Sequence, residues 1–235
     1  MLTIPRPFGG LVIPRRRGPS APVLTYIGRS TSTTTASTIT INNVPIGSAS
    51  SDRLVVVAVM CAHNSNASST VITGGSIGGS AATAVVASSA MTFPAVTAIL
   101  TRLVTSGTMA TVTINLSSTV QRTALDVYTI TGLSSTTAFD SNTNSSEANT
   151  NSLSTTLDIP EGGCAIGTLC TQEGSSTYSH TWSGLTEDAD SAAGLSYGGY
   201  TSASSQLMSA ESNRIISVTQ SGNTRRKSMC VASWV

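Results

Sequence analysis

The sequence contains two histidines, and His180 is better placed for catalysis than His63. Asp188 and Asp190 follow His180 closely, so either carboxylate could orient the imidazole ring as the acid of a hydrolase triad does. Serine is too abundant in this chain for one serine to stand out as the nucleophile. We therefore expect His180 to have a structural role in a loop, and we expect the protein not to be an enzyme.

Residues 187–190 gather three carboxylates in four positions, and a turn that folded them inward could bind Ca²⁺. The segment lacks the ligand spacing and the glycine of an EF-hand loop. A solvated acidic loop is the simpler interpretation. No Cys/His spacing typical of zinc occurs in the sequence, so we expect neither a metal nor another cofactor.

Trp182, Tyr197 and Tyr200 lie close together in a chain with only 4% aromatic residues. Exposed aromatic rings could form a loop that binds a ligand such as a sugar. Core filling explains Trp182 better, whereas the glycines between Tyr197 and Tyr200 are typical of an exposed loop.

Four cysteines, Cys61, Cys164, Cys170 and Cys230, all lie in strand-like apolar runs. On one extended strand Cys164 and Cys170 would stand about 20 Å apart, so they cannot pair with each other. Two complete pairings stay open, as does the alternative that all four are buried free thiols.

The central element that must carry these residues is a strand at residues 54–62. Its sequence, Leu-Val-Val-Val-Ala-Val-Met-Cys-Ala, is rich in β-branched residues and too short to span a membrane. Because neighbouring side chains of a strand point to opposite faces, a strand that is apolar throughout must be covered on both sides. Residues 163–170 and 229–235 repeat this pattern.

Short alternating segments separated by Ser, Gly and Asn follow one another from Val23 to the C-terminus. This pattern predicts an all-β fold, an antiparallel, jelly-roll-like β-sandwich. We expect a single domain at residues 23–235, with possible halves at 23–138 and 154–235 joined by a polar loop. A weak internal repeat suggests duplicated units of four or five strands, although shared low-complexity composition could produce the same match.

Residues 1–22 have the composition of an extended arm, since five prolines and three glycines disfavour a helix. The apolar residues Phe8, Leu11, Val12 and Ile13 would be a liability if they stayed exposed. We therefore expect the arm to dock on a neighbouring subunit, rather than to form a disordered terminus, with Arg15, Arg16 and Arg17 meeting carboxylates on the partner.

Positive charge is concentrated at the N-terminus. The first 29 residues hold five arginines and no acid, whereas the rest holds seven basic and eleven acidic residues, a charge of −4. Nucleic-acid binding would need a larger basic surface with interleaved aromatics, so we do not expect it. No apolar segment is long enough for a membrane span, and we expect no membrane partner.

Five motifs in fixed order carry a resemblance to known proteins. They are Gly78-Gly79-Ser80-Ala81-Ala82-Thr83; Gln121-Arg122 followed by Tyr128-Thr129-Ile130-Thr131-Gly132-Leu133; Ile159-Pro160-Glu161-Gly162-Gly163-Cys164-Ala165-Ile166-Gly167; Thr181-Trp182-Ser183-Gly184-Leu185-Thr186-Glu187-Asp188; and Val231-Ala232-Ser233-Trp234. In this order they resemble a family of Ser/Thr/Gly-rich all-β proteins encoded by tailed bacteriophages and prophages. The arm before residue 30 lies outside the resemblance.

The resemblance implies a jelly-roll-like structural component of a virion, assembled in the host cytoplasm. We expect a decoration, collar or neck-sheath subunit whose partners are other virion proteins and copies of itself. The four cysteines are not part of the family pattern, and disulfides between strands or subunits could reinforce the shell. The alternative function is a receptor- or carbohydrate-binding module of a tail fibre.

Overall fold

A computed structural model describes residues 21–63, 69–91, 94–172, 178–190 and 199–235. Within these ranges the secondary structure consists of seventeen β-strands, without a helix. All strand pairs are antiparallel, and the sheets pack face to face. The predicted all-β, antiparallel sandwich is therefore confirmed. The described part of the chain contains no helix that is long and apolar enough to cross a membrane.

The first half of the chain forms nine strands: β1 (Val23–Ser32), β2 (Ala36–Pro45), β3 (Leu54–Ala62), β4 (Ile72–Ile77), β5 (Ser80–Ala81), β6 (Thr83–Ala87), β7 (Ala95–Leu103), β8 (Met109–Val120) and β9 (Arg122–Thr131). The second half forms eight: β10 (Asp140–Ser146), β11 (Thr150–Ile159), β12 (Gly163–Gln172), β13 (His180–Ser183), β14 (Thr186–Asp190), β15 (Gly199–Met208), β16 (Glu211–Thr224) and β17 (Arg226–Trp234).

The first nine strands form a jelly roll. Its inner sheet has the order β1-β9-β3-β7-β6, and its outer sheet has the order β2-β8-β4-β5. The chain alternates between the two facing sheets except at the hairpins β4–β5 and β6–β7, and these strand orders are those of a jelly roll built from two Greek keys. The short strands β5 and β6 are two parts of one segment that crosses from the outer to the inner sheet.

The second eight strands repeat this topology. The second inner sheet has the order β10-β17-β12-β15-β14, and the second outer sheet has the order β11-β16-β13. Each strand thus has a counterpart in the first jelly roll, except that no equivalent of β5 occurs among the described residues. Arg122 and Arg226, which belong to the weak sequence repeat, open the equivalent strands β9 and β17. The repeated unit is therefore a whole jelly roll, larger than the predicted four or five strands.

The four sheets stack in layers, with the two inner sheets in the middle. One apolar core lies between the inner and outer sheets of each jelly roll, and a third, which includes Leu54, Tyr128, Cys164 and Trp234, lies between the two inner sheets. Strands β3 and β12 are buried at every position because their sheets are covered on both faces. Close packing also constrains Gly167 of β12, where an added Cβ would lie 2.8 Å from the Trp182 ring.

An approximate two-fold axis parallel to the strands relates the two jelly rolls. Strand β10 lies against β6, β17 against β7, and β15 against β1, so the strand order of one inner sheet faces the reverse order of the other. The neighbouring strands β3 and β12 run in the same direction, since Leu54 and Cys164 near their beginnings share one core while Cys61 and Cys170 near their ends are in contact. A rotation by 180° about an axis parallel to the strands keeps the strand direction and reverses the strand order. It therefore produces the observed arrangement of the two inner sheets.

Two sequence predictions about loops are wrong. Residues 139–154, predicted as a polar linking loop, contain β10 and the beginning of β11, and the junction between the halves is residues 132–139. The polar side chains stabilise the strands instead of turns: the Asn142 and Asn144 amides donate hydrogen bonds to the Thr156 and Ser154 carbonyls, at 3.0 and 2.7 Å. Residues 187–190, predicted as an acidic loop, lie in β14.

Candidate functional site

The catalytic candidate His180 forms a buried pair with Asp190. These residues lie at the start of β13 and the end of β14, where His180 Nδ1 is 2.7 Å from Asp190 Oδ1 and the His180 backbone N–H donates to Oδ2 at 2.8 Å. Burial alone would raise the pKa of Asp190, but hydrogen bonds from His180 and its charge outweigh burial and lower that pKa. The structure therefore selects Asp190, and not Asp188, as the partner of His180.

No described residue supplies a nucleophile to this pair. His180 Nε2 is buried and has no hydrogen-bond partner within the described ranges. It packs against the backbone of Gly199, where an added Cβ would lie 2.7 Å from Nε2. Among the described residues, the atom that would act as general base thus faces backbone and not a serine hydroxyl.

One Gly-x-Ser-x-Gly motif, centred on Ser76, was missed in the sequence. In hydrolases such a motif forms a sharp turn from a strand into a helix. Ser76 instead lies within β4 of the first outer sheet, where it is paired with Thr113. His180 lies in the second outer sheet, so the two inner sheets separate it from Ser76. The described residues therefore do not form a hydrolase triad around either group.

Asp188 belongs to a polar network that joins the two jelly rolls. Tyr128 Oη donates to Asp188 Oδ2 at 3.0 Å, and Arg29 Nη1 donates to the Tyr200 carbonyl at 3.0 Å. Arg29 also forms a two-pronged ion pair with Asp126, with N–O distances of 2.8 and 2.6 Å. Burial raises the pKa of both Tyr128 and Asp188.

The network supports cohesion between the halves more than chemistry. Tyr26 Oη adds a third hydrogen bond to Asp126, so this carboxylate is held by two side chains of its own jelly roll. No cluster of three or more metal-ligating side chains occurs within the described ranges. The carboxylates of β14 point to different partners, Asp188 to Tyr128 and Asp190 to His180, and thus do not converge on one point.

All four cysteines are buried free thiols in the structure. Burial raises the pKa of Cys61 and of Cys164 to about 12 and that of Cys230 to about 11, and it also raises the pKa of Cys170. Cys170 Sγ contacts the backbone oxygen of Cys61 at 3.5 Å, so these two residues meet between the inner sheets. Protonated thiols in such surroundings behave as small apolar groups.

Two of the three predicted ligand-loop aromatics are buried. Trp182 packs in the core of the second jelly roll, where its Nε1 donates to Thr201 Oγ1 at 2.8 Å. Tyr200 lies between the inner sheets and is fully buried. Neither ring offers a face to a sugar, so the prediction of a ligand loop is wrong for both. Tyr197 lies outside the described residues.

The predicted partner-binding residues Phe8, Leu11, Val12, Ile13, Arg15, Arg16 and Arg17 also lie outside the described residues. A second basic cluster of the sequence, Arg225-Arg226-Lys227, lies among the described residues and is partly internal. Lys227 is buried, and its Nζ donates to the carbonyl oxygens of Ala148 and Thr150, each at 2.9 Å, and to that of Thr224. This lysine stabilises the fold and is not available to an acidic partner.

The most distinctive surface lies at one end of the stack, which we call the arm-bearing end. Here β1 begins at Val23 and β17 ends at Trp234, so the segment before residue 21 enters the fold at this end. Five of the large apolar side chains that are exposed in the described chain lie at this end: Val23, Leu103, Met109, Phe139 and Leu207, with exposed fractions from 46% to 67%. An exposed apolar set of this kind is typical of a protein–protein contact.

Acidic residues accompany these apolar side chains. Asp52, Glu161 and Glu211 are exposed in connections or strand starts of the arm-bearing end. The opposite end, where β9 and β17 begin, instead carries Arg122 and Arg226. The arm-bearing end thus combines exposed apolar side chains with exposed carboxylates, and it also holds Arg53 and Arg102.

Two grooves open between the jelly rolls. The β6 groove, about 350 Å³, is lined by Leu54, Thr83–Val85, Thr101–Leu103, Thr136–Ala138 and Ser141. The β14 groove, about 370 Å³, is lined by Leu24, Tyr26, Thr186, Asp188 and Ser204–Gln206. A smaller cavity of about 210 Å³, lined in part by Ala21, Pro22 and Val235, lies where the chain enters the fold.

This chain matches no protein-family model, no curated protein and no solved structure.

Proposed function

We propose that the protein is a non-enzymatic structural subunit of a bacteriophage particle, a decoration, collar or neck-sheath protein. It packs against other virion proteins and copies of itself through its β-sandwich and through residues 1–22. The family resemblance of the five sequence motifs gives the proposal its biological setting.

The observation that carries this proposal is the character of the arm-bearing end. Leu103 and Phe139 are about half exposed there, and Leu103 lines the β6 groove, at the end where the arm joins the fold. Isolated exposed apolar residues are common on soluble proteins, and here five of them share one end of the molecule, where a neighbouring subunit could cover them. A subunit that is held in a particle buries such a set against its neighbour.

The remaining interior of the described chain supports a mechanical role. Several of its buried charged groups are engaged in cohesion, as in the Arg29–Asp126 pair and the carbonyl contacts of Lys227. The described residues bring no nucleophile to His180 and no aromatic platform to the surface at Trp182 or Tyr200. Jelly rolls also occur in viral capsid proteins, which gives the proposal support by analogy alone.

Particle incorporation tests the proposed function. Phage particles are assembled with the full-length protein or with a variant that lacks residues 2–18, purified, and analysed by quantitative mass spectrometry. We expect the full-length protein in the particles and the deletion variant only in the free fraction, as a folded protein with the far-UV circular dichroism of β-structure. Normal incorporation of the deletion variant would contradict the role of the arm, and absence of the full-length protein from particles would contradict the virion assignment.

A further inference from the structure

The β6 and β14 grooves occupy equivalent places in the two jelly rolls. Thr83 of β6 pairs with Thr101, and Thr186 of β14 pairs with Ser204. Both strands then have a register shift after the next residue, at Ala84/Val86 in β6 and at Glu187/Ala189 in β14. The shared irregularity shows that the grooves correspond residue by residue, so their chemistry can be compared directly.

The equivalent positions differ in polarity. Val85 in the β6 groove corresponds to Asp188 in the β14 groove, and Leu103 corresponds to Gln206. Asp188 is engaged with Tyr128, and Gln206 Oε1 accepts a hydrogen bond from the Leu24 backbone N–H at 3.1 Å. Polar side chains of the β14 groove are thus engaged in contacts within the molecule, whereas the β6 groove carries the apolar side chains Val85 and Leu103 beside threonines and Arg102.

The β6 groove also has a free sheet edge. Strand β6 ends the order of the first inner sheet, and no described strand pairs with its outer side. An extended peptide can add to such an edge by backbone hydrogen bonds while its apolar side chains fill the adjoining groove. A groove of about 350 Å³ is at the lower end of the sizes typical of binding clefts.

The arm has the length and the composition to fill this groove in a neighbour. Its root at Ala21 and the β6 groove lie at the same end of the first inner sheet, four strand spacings or about 19 Å apart. A fully extended segment of this composition would rise about 3.1 Å per residue, so Ile13 could reach about 25 Å and Phe8 about 40 Å from Ala21. This reach exceeds the distance to the groove of the same chain and is long enough for contact with a neighbour.

The positive charge of the arm favours its binding to the arm-bearing end of a neighbouring copy. Arg15, Arg16 and Arg17 directly follow the apolar part of the arm. The exposed carboxylates Asp52 and Glu161 lie at the end of the molecule that holds the β6 groove. The opposite end carries Arg122 and Arg226 at the starts of β9 and β17. Arg102 also lines the β6 groove, where its guanidinium donates to the carbonyl oxygens of Ile77 and Gly78.

We propose that residues 2–13 of one copy bind in the β6 groove of a second copy, with the apolar side chains against Val85 and Leu103 and the backbone paired to the edge of β6. This inference rests on the proposed function, because it specifies the contact by which subunits join in the particle. It also assigns different roles to two equivalent grooves of the same chain.

The equivalent threonines Thr83 and Thr186 provide a matched pair of variants. Both are exposed and both line their grooves. Sedimentation equilibrium of the full-length chain measures self-association. We expect Thr83→Arg, which places a bulky cation in the β6 groove, to weaken self-association about tenfold or more, and Thr186→Arg to leave it unchanged. Urea unfolding of both variants shows whether they are equally folded.

Complementation distinguishes binding between copies from binding within one chain. An arm variant, Phe8→Asp with Leu11→Asp, and the groove variant Thr83→Arg are each expected to be monomeric at concentrations where the wild type associates. Their equimolar mixture is expected to form heterodimers, because one arm and one groove stay intact. A monomeric mixture, a monomeric wild type, or equal effects of Thr83→Arg and Thr186→Arg would overturn the inference.

Particle incorporation separates this inference from the proposed function. If Thr83→Arg protein enters particles normally while the arm variant does not, the arm binds elsewhere and the inference fails, but the virion role stands. If the wild-type protein is absent from particles, the proposed function fails, whatever the groove binds.

Discussion

Tyr128 of β9 donates a hydrogen bond of 3.0 Å to Asp188 of β14, and this bond joins the two jelly rolls across their shared interface. The two residues are 60 positions apart in the chain. They meet because the approximate two-fold axis places the inner sheets face to face. Cohesion of the halves therefore depends on polar contacts as well as on the apolar core around Leu54 and Trp234.

Removal of the Tyr128 hydroxyl tests this contact. We expect Tyr128→Phe to lower the free energy of unfolding by about 1.5–3 kcal/mol, the range for a hydrogen bond to a charged group, because Asp188 loses a donor in a partly buried position. Tyr26→Phe is the matched control, with a smaller expected loss because Arg29 still pairs with Asp126. Urea unfolding followed by circular dichroism measures both, and equal effects would contradict a special role for Tyr128.

The two aspartates of β14 predict opposite contributions to pH-dependent stability. The lowered pKa of Asp190 means that the unfolded chain, with a pKa of about 3.9, binds a proton before the folded chain does. Its contribution is therefore present above about pH 4 and is lost as the pH falls through the folded-state pKa. We expect Asp190→Asn to make the loss of stability between about pH 5 and pH 2 shallower.

Asp188 contributes to the pH dependence of stability with the opposite sign, because burial raises its pKa in the folded state. Its stabilising contribution is present below the unfolded pKa of about 3.9 and is lost as the pH rises through the folded-state pKa. Asp188→Asn, which keeps an acceptor for Tyr128, should therefore make the rise of stability with pH steeper. Urea midpoints measured from about pH 2 to pH 7 compare the two variants, and shifts of the same sign would contradict the assignments.

Arg53 binds backbone instead of a carboxylate, and its replacement should be severely destabilising. Its guanidinium donates to five carbonyl oxygens, those of Ile46, Gly47, Val104, Ser106 and Gly107, at 2.7–3.1 Å. We expect Arg53→Met to cost about 3 kcal/mol or more in unfolding free energy, because several buried carbonyls lose their donor. Arg53→Lys, with three donors, should be intermediate. A loss below about 1 kcal/mol for Arg53→Met would contradict this role.

The free thiols should be unreactive in the folded protein. Burial and the raised pKa of Cys61 and of Cys164, about 12 each, keep them protonated and inaccessible at pH 8. We expect no reaction with a disulfide reagent in buffer and reaction of all four thiols in guanidinium chloride without a reductant. If fewer than four thiols react after unfolding, a disulfide is present.

The sequence predicted the most apolar strands best. The predicted strand at residues 54–62 coincides with β3, and the apolar run at 163–170 lies within β12, because burial on both faces leaves a run with few polar residues. Strand β10 was missed because its Asn and Ser side chains favour turns in isolation, whereas here they donate to the carbonyls of β11. Its stability depends on a neighbouring strand, which local sequence does not reveal.

The candidate sites were harder to predict because they depend on contacts between distant residues. The choice of Asp190 over Asp188 for His180 depends on the register shift between Glu187 and Ala189 in β14, since in a regular strand residues 188 and 190 would lie on the same face. The sequence predicts a loop there. Trp182 and Tyr200 are close in sequence, but both are enclosed by sheets that become adjacent only in the folded chain. The equivalence of the two grooves likewise becomes visible only from the strand register, which the sequence does not reveal.

A cryo-electron microscopy map of the purified particle is the most direct test of the proposed structural role. The account predicts density for a four-layered stack of two jelly rolls at repeated, symmetry-related positions. The arm-bearing end should face a neighbouring subunit, with Leu103 and Phe139 covered. A map that contains no such stack, or one in which the arm-bearing end faces solvent at every position, would contradict it.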